Sequence, residues 1–330
     1  MKRILGLIMA VAFLAGQAAA QTAGKPLNWY KGNTHTHTSN SDGDSPADEV
    51  VKWYRRNGYQ FVVITDHEYI TEVAPLNALF GKRDAFLIIS GQEVTDSFGG
   101  KPYHINGLGL REVVMPNRLS GAVATLQKNI DDVRAKGGIP QLNHPNFGWA
   151  LTAADIRQLK NINLMEVYNG HPLVNNLGGG GSPSVEAIWD ELLTGGMMIY
   201  GIADDDAHTF TRPGDRTAAL PGQAWVYVRA AELTPEAILA ALDRGDFYGS
   251  TGVELEDLII DRTGISIKIK PARASRYRIE FIGKGGRVVA ESIENPAVYK
   301  FKGDEGYVRA KIYESNGKLA WTQPQRIPER

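Results

Sequence analysis

The chain has 330 residues, of which 43% are hydrophobic and 22% are charged, and its 36 basic and 37 acidic residues nearly balance. This composition is typical of a folded globular protein, and a formal charge of -1 provides no basic surface for a stable nucleic-acid complex. The chain has no cysteine, which excludes disulfides and a thiol nucleophile.

The amino-terminal segment 1–20 has the order of a secretory signal peptide. Lys2 and Arg3 precede an apolar run, and small residues, including Ala18 and Ala20, come before Gln21. The apolar run is shorter than the roughly 20 residues of a membrane-spanning helix, and no later segment is long enough. We therefore expect a periplasmic or secreted protein that is cleaved after residue 20 and has no membrane partner.

The region 21–250 alternates short apolar runs with helical segments. The short runs are FVVIT (61–65), FLIIS (86–90), GIPQLN (138–143), LMEVYN (164–169) and MMIYGIA (197–203). Their aliphatic and β-branched residues are typical of buried parallel strands. In one of the helical segments, Ser45 has the position of an N-cap, Pro46 that of the first helical residue and Gly58 that of the stop. The pattern predicts an α/β domain.

Polar side chains follow these predicted strands, at the point where each strand ends. They are Asp66 and His67 after the first run, Glu93 after the second, His144 after the third, and Asp206 with His208 after the last. In a barrel of alternating strands and helices, the carboxyl ends of the strands form the active-site face. We therefore expect these side chains to converge.

A further set of potential ligands lies in NTHTHTSNSDGD, residues 33–44. His35 and His37 are two residues apart, so on an extended strand end they point to the same side. Imidazoles and carboxylates suit zinc, iron or manganese, and a carboxylate such as Glu93 can bridge two ions. A lone pair of this kind is often two surface histidines, but six of the seven histidines lie beside a strand end or in a polar loop. This arrangement favours a multinuclear metal site.

Six motifs in order resemble the polymerase and histidinol phosphatase (PHP) metallohydrolases. They are THTHTSNSDGDSPADEVV, VITDHE, SGQEVT, YHINGLGL, LNHPN and ADDDAH, and the resemblance covers roughly residues 28–250. It implies a distorted TIM-like barrel of seven strand and helix units. It also implies two or three divalent ions, manganese, zinc or iron, at the strand ends.

The resemblance implies three groups of metal ligands. The first contains His35, His37, Glu93 and Asp206, the second contains Glu93, His104 and His144, and the third contains Asp42, His67 and His208. Many relatives have histidine where Asp42 stands. The third group is therefore a more oxygen-rich variant.

The expected chemistry follows from ions that share a ligand. Two ions about 3.5 to 4 Å apart lower the pKa of a shared water to near 7, so a metal-bound hydroxide is the expected nucleophile. Glu93 would join the ions, and His67 or His208 could donate a proton to the leaving group. We expect a phosphoesterase that acts on small phosphate esters. An amide or carbamate hydrolase with the same cluster is the alternative enzyme, and the complete ligand set argues against a metal-binding or adhesive protein without turnover.

Four further polar residues are not among the predicted metal ligands. Arg212 and Arg216, in HTFTRPGDR, can clamp a phosphate, or they can be two ordinary arginines of a solvated loop. Glu166 can orient a metal-binding imidazole through a hydrogen bond. His171 is expected to be a pocket or surface residue rather than a ligand.

The pattern of apolar and polar residues changes at about residue 251. Segments such as ISIKIK, YRIEFIG and YVRAKIYES alternate apolar with charged residues and are separated by GKGG and SNGK, which predicts antiparallel hairpins. We therefore expect a small β-sandwich-like module over residues 251–330. This region contains no histidine. A carbohydrate-binding or partner-binding role is possible in principle, but a module that packs against the flank of the barrel is the simpler interpretation.

The signal-peptide prediction can be checked on protein recovered from the periplasm or medium. We expect an intact mass that lacks residues 1–20 and an amino terminus at Gln21, because the small-residue pattern ends at Ala20. A recovered protein that retains Met1 would contradict export by this route.

Overall fold

The structure is a computed structural model that describes residues 26–83 and 85–328. The signal-peptide prediction therefore lies outside the described residues. Within these ranges the chain has a mixed α/β fold, with a 14-stranded sheet, a three-stranded sheet and few helices. No helix in the described ranges is long and apolar enough to cross a membrane.

The strands are β1 (Asn28–Asn33), β2 (Phe61–Ile64), β3 (Leu87–Phe98), β4 (Lys101–Leu108), β5 (Ile139–Leu142), β6 (Leu164–Asn169), β7 (Tyr200–Asp204), β8 (Trp225–Ala230), β9 (Phe247–Ser250), β10 (Leu255–Ile260), β11 (Gly264–Ile269), β12 (Tyr277–Gly283), β13 (Arg287–Ser292), β14 (Ala297–Lys300), β15 (Tyr307–Glu314), β16 (Leu319–Thr322) and β17 (Gln325–Arg326). The helices are α1 (Ala47–Arg56), α2 (Val73–Phe80), α3 (Ala122–Ala135), α4 (Ala153–Ile156), α5 (Val185–Thr194) and α6 (Pro235–Arg244), and Phe147–Trp149 and Lys284–Gly286 are short 3₁₀ segments.

All five predicted apolar runs form strands of the large sheet, namely β2, β3, β5, β6 and β7. The order of the sheet is β13-β12-β15-β16-β9-β8-β1-β2-β3-β4-β5-β6-β7, and β17 pairs with β15. Strands β1, β2 and β3 are parallel neighbours, as are β5, β6 and β7. Strands β2, β5 and β6 are buried on both faces, which explains their nearly continuous apolar runs.

The predicted series of parallel strands is interrupted by β4, which lies antiparallel between β3 and β5. Phe98 pairs with Lys101, so only Gly99 and Gly100 form the hairpin loop. Both glycines have positive φ, +60° and +79°, as a two-residue turn between twisted strands requires. Strand β3 runs eight residues beyond its apolar segment, and the hairpin takes the place of a crossover helix.

The segment after β1 contacts the segment after β7. Thr36 and Ala207 form an isolated parallel bridge, and the His37 amide donates to the Ala207 carbonyl at 2.9 Å. The carboxyl ends of the first and last strands of the β1–β7 series are therefore adjacent. This contact places His37 beside the residues that follow β7.

Helix α1 begins one residue later than predicted. Pro46 is the N-cap residue with extended backbone, φ −67° and ψ 155°, and the Ser45 hydroxyl donates to the Asp44 carboxylate at 2.9 Å instead of capping the helix. The stop at Gly58 is confirmed by its φ of +76°. The buried side chains of α1 are Val50, Val51 and Tyr54, and they pack against β2 and β3.

All the predicted carboxyl-terminal strands are present and antiparallel. Strands β10, β11 and β14 form the three-stranded sheet, whereas β12, β13, β15 and β16 continue the large sheet. The junction is the antiparallel pair of β16 and β9, in which Trp321 lies opposite Gly249. Strands on both sides of residue 250 therefore share one hydrogen-bonded sheet, and the division at that residue stays a prediction.

A buried ion pair joins β15 to helix α5. Arg309, with 1% of its side chain exposed, donates from Nε and Nη2 to the two carboxylate oxygens of Asp190 at 2.8 and 2.7 Å. The Tyr307 hydroxyl donates to Asp190 at 2.8 Å, and the guanidinium lies 4.7 Å from the Trp189 ring centroid. Glu186 Oε2 lies 3.5 Å from Arg309 Nη2, so the bidentate contact with Asp190 is the closer of two carboxylate contacts on which this buried guanidinium depends.

We predict that Asp190→Asn lowers the free energy of unfolding by about 3 kcal/mol, because the variant leaves the Arg309 charge buried without a full partner. Urea denaturation monitored by fluorescence measures this change. Glu191→Gln, one residue along the same helix and 57% exposed, is the matched control and should cost less than about 0.5 kcal/mol. Equal stabilities of the two variants would contradict the role of the ion pair.

Candidate metal centre

His35 and His37 lie on the extended segment that follows β1, and both side chains are fully buried. His35 Nε2 is 3.1 Å from Glu93 Oε2 and 3.2 Å from Asp206 Oδ1. His37 Nε2 is 3.3 and 3.2 Å from the same two oxygens. The structure thus brings together the four residues of the first predicted ligand group, on one side of the segment as the spacing predicts.

Glu93 lies between this group and the second one. Its Oε2 faces His35 and His37, and its Oε1 is 3.0 Å from His104 Nδ1 and 3.3 Å from His144 Nε2. Strand β4 places His104 here, because Thr95 pairs with His104 and Glu93 points to the same face of β3 as Thr95. One buried carboxylate therefore contacts imidazoles of two groups through different oxygens.

The third predicted group lies nearer to the surface. Asp42 is 54% exposed, and its carboxylate is 3.4 Å from His208 Nε2 and 3.5 Å from His67 Nε2. His37 joins this group as well, since its Nδ1 is 3.5 Å from Asp42 Oδ1. The sequence did not indicate that His37 would face two groups.

The geometry fits cations better than a network of hydrogen bonds. Within each group the nitrogens and oxygens lie within 4.8 Å of one another. The buried His37 Nε2 is 3.3 and 3.2 Å from carboxylate oxygens of Glu93 and Asp206, yet it forms no hydrogen bond among the described residues. Buried polar atoms without a partner are rare in proteins and often belong to an ion site. Imidazole and carboxylate donors suit zinc, iron or manganese. The donor set therefore fits divalent metal ions.

Two of the facing residues have a backbone that few side chains adopt. His144 has φ of +22° and Asp206 has φ of +48°. Such conformations cost of order 1 to 3 kcal/mol and concentrate at functional sites. The two residues with this unfavourable backbone conformation both direct their side chains into the cluster.

The carboxylates and imidazoles of the first group strongly perturb one another. Burial acts to lower the pKa of His35, but Asp206, Glu93 and Glu166 hold that pKa well above its usual value. Burial acts to raise the pKa of Glu93, but the neighbouring imidazoles, with His35 foremost, hold it well below its usual value. In the absence of cations, protonated imidazoles therefore balance the buried carboxylates.

The pKa values of the more exposed residues His67 and Asp42 are also shifted by their neighbours. Burial opposes protonation of His67, but Glu93 and Asp42 raise its pKa to about 9. Burial alone would raise the pKa of Asp42, but hydrogen bonds with His208 and His67 lower it. His104 differs, because burial outweighs Glu93 and lowers its pKa.

Glu166 contacts the ring nitrogen of His35 that faces away from Glu93 and Asp206, in the orienting position that the sequence predicted. Its Oε1 lies 2.7 Å from His35 Nδ1, and its Oε2 accepts from the His144 amide at 2.6 Å and from Asn169 Nδ2 at 2.9 Å. A proton on His35 Nδ1 that donates to Glu166 leaves the Nε2 lone pair directed at Glu93 and Asp206. This is the usual orientation of an imidazole that binds a metal.

Three supporting residues were missed in the sequence. Asn143 Nδ2 donates to Glu93 Oε1 at 2.8 Å, Asn169 Nδ2 donates to Asp206 Oδ2 at 3.1 Å, and Thr95 Oγ1 contacts His67 Nδ1. Their only signal was position, since Asn143 and Asn169 lie at strand ends, where the ligands also lie. A short amide or hydroxyl side chain at such a position carries no distinctive pattern.

Asp66, next to His67, anchors the loop that carries Asp42. Its Oδ1 accepts from the Thr38 amide at 2.7 Å and from the Ser41 hydroxyl at 2.9 Å. Asp66 is fully buried, so these hydrogen bonds offset the cost of burying its charge. The anchor fixes the residue before Asp42.

A cavity of about 490 Å³ opens over the cluster. Arg212 lines this cavity, although it is 62% exposed and pairs with Asp215 at 3.0 Å, whereas Arg216 is exposed and does not line it. His171 lines the cavity without belonging to a ligand group, and its Nδ1 accepts from the Leu173 amide at 3.2 Å. The structure thus places one of the two predicted arginines at the site.

We predict that manganese binds the metal-free protein more tightly as the pH rises from about 6.5 to about 9, because the proton held by His67, with its pKa of about 9, competes with the ion for the imidazole. Isothermal titration calorimetry in buffers of different ionisation enthalpy measures both the affinity and the protons released. His67→Asn should weaken the pH dependence in the upper part of this range. An affinity that does not change with pH would contradict the assignment.

No family model and no curated protein sequence matches this chain. Among solved structures, a two-domain protein of Bacteroides vulgatus that contains a predicted PHP-like metal-dependent phosphoesterase has a TM-score of 0.52 at 14% identity, over 91% of this chain and 96% of that chain.

Two smaller proteins match a part of the chain. An amidohydrolase of Chromobacterium violaceum has a TM-score of 0.40 at 16% identity, over 56% of this chain and 89% of its own. A protein of Bifidobacterium adolescentis assigned as a metal-dependent phosphoesterase has a TM-score of 0.39 at 14% identity, over 56% of this chain and 91% of its own. The match with the Bacteroides protein spans nearly the whole of both chains, and it confirms the expected resemblance at the level of the fold: the chain has the fold of a PHP-like two-domain protein.

Proposed function

We propose that the protein is a metal-dependent phosphoesterase that hydrolyses small phosphate esters. The observation that carries this proposal is the position of Glu93, whose Oε2 faces His35 and His37 and whose Oε1 faces His104 and His144. A carboxylate shared in this way is what two adjacent ions require. The PHP-like fold supports the same conclusion.

The three ligand groups are proposed to hold two or three divalent ions, with manganese, zinc and iron as the candidates. Such ions, when bound, activate water as a nucleophile and stabilise charge on the phosphoryl oxygens. The first and second groups are buried and share Glu93, so they are proposed to be occupied first. The third group, with the half-exposed Asp42, is proposed to bind its ion more weakly.

The remaining roles belong to the side chains of the protein. Glu166 fixes the orientation of His35, and Asn143 holds Glu93 Oε1 by a hydrogen bond of 2.8 Å. His67 and His208 line the cavity and are proposed to supply a proton to the leaving oxygen when they are not fully engaged as ligands. Arg212, at the rim, is proposed to contact a phosphate oxygen.

We also propose the finer architecture and location that the sequence predicts. The region before residue 250 is proposed to be a distorted TIM-like barrel, which the bridge between Thr36 and Ala207 supports, because it joins the ends of β1 and β7. The region after it is proposed to be a β module. Export to the periplasm or medium is proposed from the signal peptide pattern.

We predict that Glu93→Gln reduces metal content and lowers turnover of a phosphate ester by at least about 100-fold, because the variant removes the charge that offsets paired cations while keeping the size of the side chain. Elemental analysis and initial rates with manganese or zinc measure the two effects. Glu256→Gln on β10 is the control, since Glu256 is 53% exposed and pairs only with Lys268 at the surface. It should leave metal content and rate near wild type.

The substrate class is tested with a panel of phosphomonoesters, phosphodiesters, amides and carbamates on the metal-loaded protein. We expect turnover of phosphate esters that is lost in Glu93→Gln. Turnover confined to amides or carbamates would replace the proposed function with the alternative enzyme. Normal metal content and normal rate in Glu93→Gln would contradict the bridging role.

A further inference from the structure

Beyond the ligand groups, part of the lining of the cavity is apolar. Phe147, Pro172, Leu173 and Val174 line one part of it, and the Phe147 ring lies 5.2 Å from the His144 ring between centroids. These apolar residues therefore adjoin the second ligand group. Among the lining residues, all of them in the described ranges, Arg212 is the only lysine or arginine.

The apolar residues of this part of the cavity are held in place by hydrogen bonds. The Leu173 amide donates to His171 Nδ1 at 3.2 Å, and the Val174 amide donates to the His171 carbonyl at 3.1 Å. Below this turn, Asn176 exchanges hydrogen bonds with the backbone of Asn169 at 2.8 and 3.1 Å. The turn is thus preorganised without a ligand, which reduces the entropy that binding has to overcome.

Leu173 is exposed in spite of this fixed position. Its side chain is 66% exposed at the cavity, and the nearby 3₁₀ segment leaves Trp149 38% exposed. A ligand that covered the Leu173 side chain would remove apolar surface from water, which is favourable by about 25 cal/mol per Å². A sugar or a second phosphate would instead place hydroxyls or charge against the apolar Leu173 side chain, and their burial there would not be favourable.

We infer that Phe147, Pro172, Leu173 and Val174 form a leaving-group subsite that takes the aromatic ring of an arylalkyl phosphate monoester. The inference rests on the proposed function, which sets the phosphate at the ligand groups, and it specifies the substrate class. The cavity of about 490 Å³ accommodates a phosphate and one ring, and Phe147 presents a ring for edge or offset contact. Water attacks phosphorus, the ester P–O bond breaks, and the alcohol that leaves takes up one proton.

The test compares 2-phenylethyl phosphate with ethyl phosphate on the manganese-loaded mature protein. Both esters release primary alcohols of similar acidity, so a difference in kcat/KM reports the subsite and not leaving-group reactivity. We expect kcat/KM to be at least about ten-fold higher for 2-phenylethyl phosphate. Leu173→Asn should remove most of this preference, so that the kcat/KM values of the variant for the two esters lie within about two-fold of each other. Leu79→Asn on α2, a matched control at a leucine that is 73% exposed and outside the cavity, should change neither rate.

Binding of the non-hydrolysable 2-phenylethylphosphonate and ethylphosphonate, measured by calorimetry, separates this inference from the proposed function. A tighter dissociation constant for the aromatic phosphonate that depends on Leu173, without turnover of any phosphate ester, would support the subsite and overturn the phosphoesterase. Equal dissociation constants, or a preference that survives Leu173→Asn, would overturn the subsite alone. If neither phosphonate binds, the subsite is overturned, and the phosphoesterase is overturned as well only when no phosphate ester is turned over.

Discussion

The structure depends on the burial of a carboxylate among histidines. Glu93 is 1% exposed, and imidazole nitrogens approach both of its oxygens from several directions. Removing a carboxylate from water costs several kcal/mol unless compensating charge is close. Histidines that are protonated, or metal ions that the same nitrogens bind, can provide that charge. The lowered pKa of Glu93 and the raised pKa of His35 reflect this need for a compensating charge.

The sheet satisfies the requirement by placing strand ends side by side. Parallel strands β1 and β2 bring the histidine pair and His67 to one edge, and the contact of Thr36 with Ala207 brings Asp206 to the same edge. Strand β4 contributes His104 from the opposite direction, because the two-glycine turn at 99–100 folds it back along β3. Residues far apart in sequence thus meet in a small volume, and Glu166 and Asn143 fix their orientations.

The residues of the cluster could be named from the sequence, whereas the direction of β4 could not, and their role as metal ligands stays a prediction. Seven of the nine proposed ligands lie in segments that follow strands, and the ends of neighbouring parallel strands meet at one edge of a sheet, whereas Glu93 and His104 lie within β3 and β4. The direction of β4 was not predictable from its apolar pattern, which is the same for a parallel and an antiparallel neighbour. Its only signal was the glycine pair at 99–100.

Other features depended on details that residue patterns do not contain. Helix α1 begins one residue later than predicted, and the Ser45 hydroxyl donates to Asp44 without capping the helix. The second contact of His37 follows from ring position, since its two nitrogens face different groups. Arg212 and Arg216 are equivalent in sequence, and only the path of the loop decides which of them lines the cavity.

The central claim is that Glu93 joins two metal sites, and anomalous diffraction from crystals of the manganese-loaded protein tests it most directly. The account predicts one peak within bonding distance of His35, His37, Glu93 and Asp206. It predicts a second peak about 3.5 to 4 Å away, in contact with Glu93, His104 and His144. A single peak that does not contact Glu93, or none at this cluster, would contradict the account.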